Sequence, residues 1–250
     1  MKTEKEFVSK MEYKFIDKTI FFPEHGILAI GDLHVGFEQS LREAGVNLPE
    51  SQTNETTKNL QMIIEEIKKS NWKLKKIIFL GDIKHYFGYE WREKVHFNKI
   101  LDFLKQFVED SDIILIKGNH DKFDFSGKKM KNCHIKDKIA FFHGHISFPQ
   151  IMDKEVNMWV MGHLHPSILL SEKEGVKREK FKCFLVGKYK GKEIIIIPSF
   201  IGITEGTPVN EQRYENEKEF SVIPHKEIRN FKAYVIGDNQ IFDFGKVKEL

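Results

Sequence analysis

Cysteine is scarce in this sequence, and long apolar runs are missing. The two cysteines, Cys133 and Cys183, are too few for a disulfide-stapled secreted scaffold of 250 residues. No stretch reaches the roughly 20 consecutive apolar residues that a membrane-spanning helix needs. The N-terminal segment 1–15 is charged and lacks the apolar core of a signal peptide. We therefore expect a cytoplasmic protein with no membrane association.

A strong excess of one charge is also missing. Forty basic residues face 37 acidic ones, and the formal net charge of +3 is far below that of a dedicated polyelectrolyte binder. A local exception is the basic run 122–131, with lysines at 122, 128, 129 and 131. This run comes directly after a candidate active-site turn in the sequence, and its lysines could bind along the phosphate backbone of a nucleic acid.

What is present is enough apolar material for a substantial core, at 40% hydrophobic residues. The chain shows no internal repeat, low-complexity tract or Pro/Gly-rich linker that would mark a domain boundary. We therefore predict a single domain over residues 1–250.

The order of apolar patterns predicts an α/β fold. Strand-like runs alternate with helical spacing over about 51–70 and 91–107, and the second helix has its apolar stripe at Val95, Ile100, Leu101, Leu104 and Val108. After residue 131 the segments are mostly strand-like, ending in a predicted hairpin at 231–245. This pattern favours two packed β-sheets with helices outside.

Ligand-type residues follow the apolar strands. Six of the eleven histidines fall in these short turns. The turns are Asp32-Leu33-His34, Gly81-Asp82, Gly118-Asn119-His120-Asp121, His143-Gly144-His145 and Gly162-His163-Leu164-His165-Pro166. Side chains at strand ends lie along one edge of a rigid scaffold. In an extended segment, two residues separated by one other residue, as in Asp-x-His and His-x-His, point to the same side of the chain.

The donor types favour a transition metal site. The set is carboxylate and amide oxygen with imidazole nitrogen, which suits Mn, Fe, Zn, Co or Ni, and the cysteines lie outside it. The candidate ligands outnumber what one ion needs: Asp32, His34, Asp82, Asn119, His143, His163 and His165. A pair of ions sharing one carboxylate would use them all, and such pairs catalyse phosphoryl transfer.

In this order, the motifs resemble those of the calcineurin-like metallophosphoesterase superfamily. Further segments resemble its ICC-like, SbcD-related branch, which includes the DNA-ligase-associated and helicase-associated exonucleases. These segments are DLHVGFEQSLREAGVNLP, GDIKH, GHLHP and IIPSFIGITEGTPVN. The resemblance extends over roughly residues 27–210, and we can match no motif in the remaining C-terminal residues.

The resemblance implies a four-layer αββα sandwich of two mixed β-sheets flanked by helices. It also implies that Asp32, His34 and His165 hold one divalent metal ion, and that Asp82 bridges to the other. The ligands of the second ion would be Asn119, His143 and His163. His120 would assist the leaving oxygen as a general acid or stabilise the transition state. Asp121 would orient the His120 imidazole and raise its pKa.

The sequence leaves several roles open. His85 stands where many superfamily members have Asp or Asn, and it could contact the phosphate or the leaving group. His145 could be a site residue or merely satisfy a turn. Lys84 is by default a solvated charge, although beside Asp82 it could help to bind a phosphate.

The implied reaction is phosphodiester hydrolysis by a hydroxide that bridges the two metals, with manganese as the leading metal. We expect a DNA exonuclease or phosphodiesterase, with single-stranded DNA as substrate and DNA-repair proteins as partners. The alternative is a small-molecule phosphatase or a cyclic-nucleotide-type phosphodiesterase, with a pocket closed by the loop 201–210. A third hypothesis, a non-enzymatic scaffold, is disfavoured because His120 and all the candidate ligands are present.

Overall fold

Most of the apolar runs form strands of two β-sheets. The computed structural model describes residues 11–88, 90–122, 124, 126–171, 178–211, 221–238 and 240–250. The first sheet has five strands in the order β1 (Lys14–Ile16), β2 (Thr19–Phe22), β3 (Ile27–Ile30), β4 (Lys76–Phe79) and β5 (Ile113–Leu115). The first three strands pair antiparallel, and β3, β4 and β5 pair parallel, so the sheet is mixed.

The second sheet has nine strands and is also mixed. Seven of them follow the order β12-β9-β10-β11-β8-β7-β6, and the antiparallel pair β13–β14 joins the sheet through β10. Parallel pairing occurs between β7 and β8, β8 and β11, and β9 and β12. The strands are β6 (Cys133–Lys136), β7 (Ile139–Phe142), β8 (Met158–Met161), β9 (Pro166–Ser171), β10 (Arg178–Tyr189), β11 (Lys192–Ile196), β12 (Thr207–Pro208), β13 (Lys232–Ile236) and β14 (Ile241–Lys246).

The two sheets pack face to face because their strands are apolar on both sides. In β2, Ile20 and Phe22 belong to the core between the sheets, whereas Phe21 belongs to the core under the helices. In β7, Phe141 points to the inter-sheet core and Phe142 to the outer face of the second sheet. Strands buried on both faces read as continuous apolar runs, which is why hydropathy alone located them.

Two long helices cover the outer face of the first sheet. These are α2 (Gln52–Lys69) and α3 (Trp91–Leu104), and their apolar residues share a core with Phe21, Leu28 and Ile30. The predicted helix at 51–70 is confirmed. The helix predicted at 91–107 ends at Leu104, because the Phe107 N–H donates to the Leu104 carbonyl at 3.0 Å in a tighter turn.

One predicted core residue of α3 is wrong. Val95 is 42% exposed, and the buried positions of the first turns are Glu93 and Phe97. The face of α3 that packs against the protein therefore includes the Glu93 carboxylate and leaves Val95 exposed.

The outer face of the second sheet is covered differently. Among the described residues, its cover includes the 3₁₀ turn Pro149–Met152 and the short helix α4 (His225–Ile228), which contribute Ile151 and Ile228 to the outer core. The remaining helix, α1 (Phe37–Glu43), lies beside the site. The predicted α/β fold with two mixed sheets and outer helices is confirmed, with the second helical layer reduced to short pieces. No helix among the described residues has the length and apolarity to cross a bilayer.

We predict that α2 stabilises the fold through its buried stripe. Leu60→Ala should lower the free energy of unfolding by about 2–5 kcal/mol, because Leu60 is fully buried against the first sheet. Met62→Ala, in the same helix but 51% exposed, should change it by less than about 0.5 kcal/mol. Urea unfolding of both variants measures the difference, and equal losses would contradict this assignment of the core.

Candidate metal centre

The strand ends of both sheets meet at one edge of the sandwich. The loops after β3, β4 and β5 carry Asp32, Asp82 and Asn119, and the loops after β7 and β8 carry His143 and His163. Backbone hydrogen bonds tie these loops together, since the Leu33 and His34 N–H groups donate to the Asp82 carbonyl at 3.1 and 2.9 Å. Parallel strands place their carboxyl ends together, so residues distant in sequence become neighbours here.

The first cluster consists of Asp32, His34 and His165. Their donor atoms lie within 4.8 Å of one another. His165 Nε2 is 3.2 Å from Asp32 Oδ1 and 3.3 Å from His34 Nε2. The Asp32 carboxylate is fully buried and accepts the His163 backbone N–H at 3.1 Å.

The second cluster consists of Asp82, His143 and His163, again within 4.8 Å of one another. His143 Nε2 lies 3.4 Å from Asp82 Oδ2, 3.1 Å from His163 Nδ1 and 3.0 Å from Asn119 Oδ1. Asp82 Oδ2 is also 3.8 Å from His34 Nε2 of the first cluster. Asp82 is therefore a member of the second cluster that also approaches the first, and its role as a bridging ligand stays a prediction.

The donor atoms fit divalent metal ions. Two atoms bound to one ion at about 2.0–2.2 Å are themselves about 3.0–3.6 Å apart. The contacts of 3.1–3.4 Å within the two clusters have this spacing, and so does the 3.0 Å contact of His143 Nε2 with Asn119 Oδ1. His143 Nδ1 donates to the Leu80 carbonyl at 2.9 Å, which leaves Nε2 free as a ligand atom. Both clusters thus have the donor chemistry and spacing of a transition metal site.

The carboxylates and imidazoles perturb one another strongly. Burial would raise the pKa of Asp32, but the neighbouring His165, His143 and His34 hold it well below its ordinary value. Burial, together with His165, lowers the pKa of His34 to about 3, so this imidazole is neutral, as a metal ligand must be. Burial opposes protonation of His143, but the Asp82 hydrogen bond and the Asp32 charge raise its pKa to about 9. A metal ion bound here would displace that proton.

The backbone at the site is held in unusual conformations. His34, Asp82, His163 and His165 all have positive φ angles, of 43°, 45°, 71° and 45°. Such angles are uncommon outside glycine, and they persist where the surrounding structure imposes them. Gly118 serves a different need, since a Cβ there would lie 2.1 Å from Asp82 Oδ1. The loops are therefore shaped around the donor atoms at a conformational cost.

His120 stands at the edge of the second cluster. Its Nε2 is 3.9 Å from Asp82 Oδ2, and its backbone N–H donates to Asp82 Oδ1 at 2.9 Å. The Nδ1 atom lies 2.5 Å from the His85 carbonyl oxygen. This contact fixes the ring and turns Nε2 toward the metal-ligand cluster. The Phe87 ring stacks on the imidazole, with centroids 4.1 Å apart.

The predicted role of Asp121 differs from its observed contacts. The buried Asp121 carboxylate accepts backbone N–H groups from Gly118, Ile83 and Lys84 at 3.0, 3.3 and 3.4 Å. The contact that orients the His120 imidazole comes from the His85 carbonyl instead. Burial, reinforced by the Asp82 charge, raises the pKa of Asp121. Asp121 thus joins the second and third motif loops, because its side chain turns into the protein rather than toward its sequence neighbour.

The residues whose roles were open fall into distinct places. His85 forms a group with His34 and His120 whose nitrogens lie within 4.8 Å of one another, and it lines the same cleft. His145 packs near His143, with ring centroids 5.1 Å apart, and burial lowers its pKa to about 4. Lys84 is buried rather than solvated, and its ammonium group donates to the Gly88 carbonyl at 2.9 Å and to the Tyr86 carbonyl.

The cleft over the two clusters has a volume of about 430 Å³. Its walls include Lys180, which lies outside every motif, and residues from two of the segments that resemble the ICC-like branch: Phe37, Ile201, Thr204, Glu205, Gly206 and Thr207. Residues 201 and 204–207 belong to the loop predicted to close a pocket. The Nζ atom of Lys180 is 4.0 Å from Oε2 of Glu205.

The basic run 122–131 is only partly available to a ligand. Lys128 donates to Asp110 Oδ2 at 2.8 Å and to the Asp110 carbonyl at 2.6 Å, so its charge is already compensated. Lys122 is exposed, and its ammonium group lies 5.3 Å from the Phe87 ring centroid, close to His120. Of these two lysines, Lys122 is thus the one near Phe87 and His120, whereas Lys128 is paired with Asp110.

A carboxylate that the sequence did not single out also borders the site. Glu93 of α3 is fully buried, and its Oε1 accepts the backbone N–H groups of His85 and Tyr86 at 2.7 and 2.8 Å. Burial raises its pKa to about 7, although both N–H groups oppose the shift. The single sequence signal was its position in the first turn of a helix, where acidic residues are common.

Comparison with known proteins gives one family match. Residues 25–154 match the family model described as calcineurin-like phosphoesterase. This segment contains Asp32, His34, Asp82, Asn119 and His143, together with His120 and Asp121. His163 and His165 lie beyond it, and the fold brings them back to the same centre. No curated protein matches the chain.

Solved structures also match this chain. The crystal structure of Pseudomonas putida nuclease MPE has a TM-score of 0.59 at 18% identity and covers 93% of this chain and 100% of its own. At this identity the likeness concerns the fold. The metallophosphoesterase from Sphaerobacter thermophilus has a TM-score of 0.29 at 13% identity, with 84% and 82% coverage, and adds no argument.

We predict that His165 binds a metal ion and that His145 does not. His165→Ala should lose about one of two bound Mn²⁺ ions after dialysis, because His165 Nε2 faces Asp32 and His34. His145→Ala is the matched control, since His145 also ends a His-x-His pair but belongs to neither three-residue cluster. Metal content by mass spectrometry measures both. Equal metal loss in the two variants would contradict the grouping.

Proposed function

The chain belongs to the calcineurin-like phosphoesterase family and is a metal-dependent phosphoester hydrolase, and we propose that it cleaves phosphodiester bonds of DNA, as an exonuclease. The observation that carries the proposal is the pair of three-residue donor clusters, which approach each other where Asp82 Oδ2 of the second is 3.8 Å from His34 Nε2 of the first, with His120 beside them in the cleft. Two divalent ions, with Mn²⁺ as the first choice, would be held by Asp32, His34 and His165 and by Asn119, His143 and His163.

Bound metal ions would supply charge neutralisation and an acidified water as nucleophile. The protein's own contribution is to orient the phosphate and move protons. His120 Nδ1 donates its proton to the His85 carbonyl, so Nε2 is the nitrogen that faces the site, and it gives a proton to the leaving oxygen from the imidazolium form. The buried Asp121 holds three backbone N–H groups and thereby fixes the loop from which His120 projects.

The preference for DNA rests on the surroundings of His120. Phe87 is 50% exposed beside the imidazole, and Lys122 lies close to its ring. An exposed aromatic ring next to a cation is the combination that single-strand-binding grooves use for a base and its phosphate. The nuclease named in the structural comparison is consistent with such a substrate. A DNA-directed enzyme would act in the cytoplasm alongside DNA-repair proteins.

A second function is favoured by one observation. The loop 201–207 forms one wall of the cleft, and a cleft of about 430 Å³ has the size of a small-molecule site. Glu205 in this wall would repel the next phosphate of a polymer unless Lys180 compensates it. This geometry favours a small phosphate ester or cyclic nucleotide as the alternative substrate.

The first test is cleavage of end-labelled single-stranded DNA with Mn²⁺. Wild-type protein should give a metal-dependent shortening ladder, and His120→Ala should slow it by about 10²–10⁴-fold because the leaving oxygen loses its proton donor. The metal content of the variant should be unchanged. Intact DNA, with bis-p-nitrophenyl phosphate still hydrolysed in the same tube, would reject the nuclease and support the small-molecule alternative.

The second test concerns the two lysines of the basic run. Lys122→Ala should lower kcat/KM on DNA by about 3- to 10-fold, since it removes a cation beside the cleft. Lys128→Ala should leave DNA cleavage unchanged, because Asp110 already takes up the Lys128 charge. Both variants should keep full activity on bis-p-nitrophenyl phosphate. Equal effects of the two changes on DNA would contradict the role of Lys122.

A further inference from the structure

We propose that Glu93 is a positioning residue for His120 and acts through the loop 84–88. This inference rests on the proposed function in one respect, namely that His120 protonates the leaving oxygen. Glu93 lies on α3, outside every motif that marks the metal centre, and its carboxylate binds backbone N–H groups of the loop. Its influence passes through the backbone of His85.

The contacts of Glu93 are those of a clamp. One carboxylate oxygen accepts the backbone N–H groups of both His85 and Tyr86, at 2.7 and 2.8 Å. The His85 N–H is shared with the Val35 carbonyl at 3.0 Å, whereas the Tyr86 N–H depends on Glu93. Gly36 makes room for the clamp, because a Cβ there would lie 2.8 Å from Glu93 Cγ.

A second buried charge holds the same loop from the other side. The Lys84 ammonium group donates to the carbonyls of Tyr86 and Gly88, and Lys84 is only 2% exposed. The Glu93 carboxylate thus accepts hydrogen bonds from N–H groups of the loop, and the Lys84 ammonium group donates hydrogen bonds to its carbonyl groups. The loop backbone between them is fixed without belonging to a helix or a sheet.

The clamped loop ends at the catalytic imidazole. The His85 carbonyl belongs to the same peptide group as the Tyr86 N–H that Glu93 binds, and it lies 2.5 Å from His120 Nδ1. The same loop carries Phe87, whose ring stacks on the His120 imidazole. Position and tilt of the imidazole therefore depend on where Glu93 holds this backbone. This is the role that sequence reasoning assigned to Asp121.

A purely structural role does not explain a carboxylate at this position. Burying an acidic group costs free energy unless it is well compensated, and the second Glu93 oxygen has no hydrogen-bond partner among the described residues. An apolar side chain in α3 would avoid that cost. A side chain that opposes stability is most readily explained by what it does for the site.

The experiment is a double-mutant cycle between Glu93 and His120, measured on two substrates with Mn²⁺ present. On a DNA oligonucleotide, Glu93→Ala should lower kcat by about 10–100-fold with KM changed by less than about twofold. In the His120→Ala background, Glu93→Ala should cause no further loss, because its effect passes through the missing imidazole. On bis-p-nitrophenyl phosphate, whose leaving group needs little acid assistance, the loss should be much smaller.

Glu93→Gln keeps an acceptor oxygen at the same place and should restore most of the kcat on DNA. Leu104→Ala is the matched control for lost stability, since Leu104 is fully buried in the same helix and distant in sequence from the loop. It should lower the unfolding temperature but leave kcat unchanged at 25 °C. If Glu93→Ala does not fold, Glu93→Asp withdraws the acceptor while keeping the charge and should show the same substrate-dependent loss.

Three results would overturn the inference: an equal loss from Glu93→Ala with and without His120, an equal loss on both substrates, or a Leu104→Ala variant as impaired as Glu93→Ala. Failure of the proposed function has a different signature. In that case His120→Ala itself would keep wild-type activity on DNA, or wild-type protein would leave DNA intact.

Discussion

Two buried carboxylates, Asp32 and Asp82, set the conditions for the rest of this site. Asp32 is fully buried and Asp82 is 3% exposed, and buried anions are costly unless nearby groups compensate them. Histidines from three different loops and backbone N–H groups provide that compensation in the protein itself. The same arrangement gives divalent ions a set of converging oxygen and nitrogen donors. Metal binding and the stability of this edge of the sandwich are therefore linked.

The sandwich supplies the rigidity that this arrangement needs. Apolar residues of both sheets fill the layer between them, and the strands that carry the donor loops are buried on both faces. Rigid strand ends can hold His34, Asp82, His163 and His165 in left-handed backbone conformations that a mobile loop would leave. The strain lies at the donor residues, and the packing that sustains it lies in the strands behind them.

Two carboxylates near His120 act on the backbone. Asp121 joins the turn at Gly118 to the loop after β4, and Glu93 holds the next part of that loop. His120 then takes its orientation from a carbonyl group of the held loop. Backbone groups have few degrees of freedom, so they place an imidazole more firmly than a flexible side chain does.

The sequence by itself determined the strand–helix order, the helix at 51–70 and the residues that could ligate metal, because those signals are local. Apolar runs identify strands buried on both faces, and donor-type residues directly after them meet at one sheet edge in this fold class. Tertiary structure alone decided which atoms each side chain contacts. Val95, predicted in the apolar stripe, is exposed, Glu93 is buried in the same helix, and Lys128 pairs with Asp110. Hydropathy describes a residue by its average behaviour, whereas burial of a particular carboxylate or pairing of a particular lysine depends on partners far away in the chain.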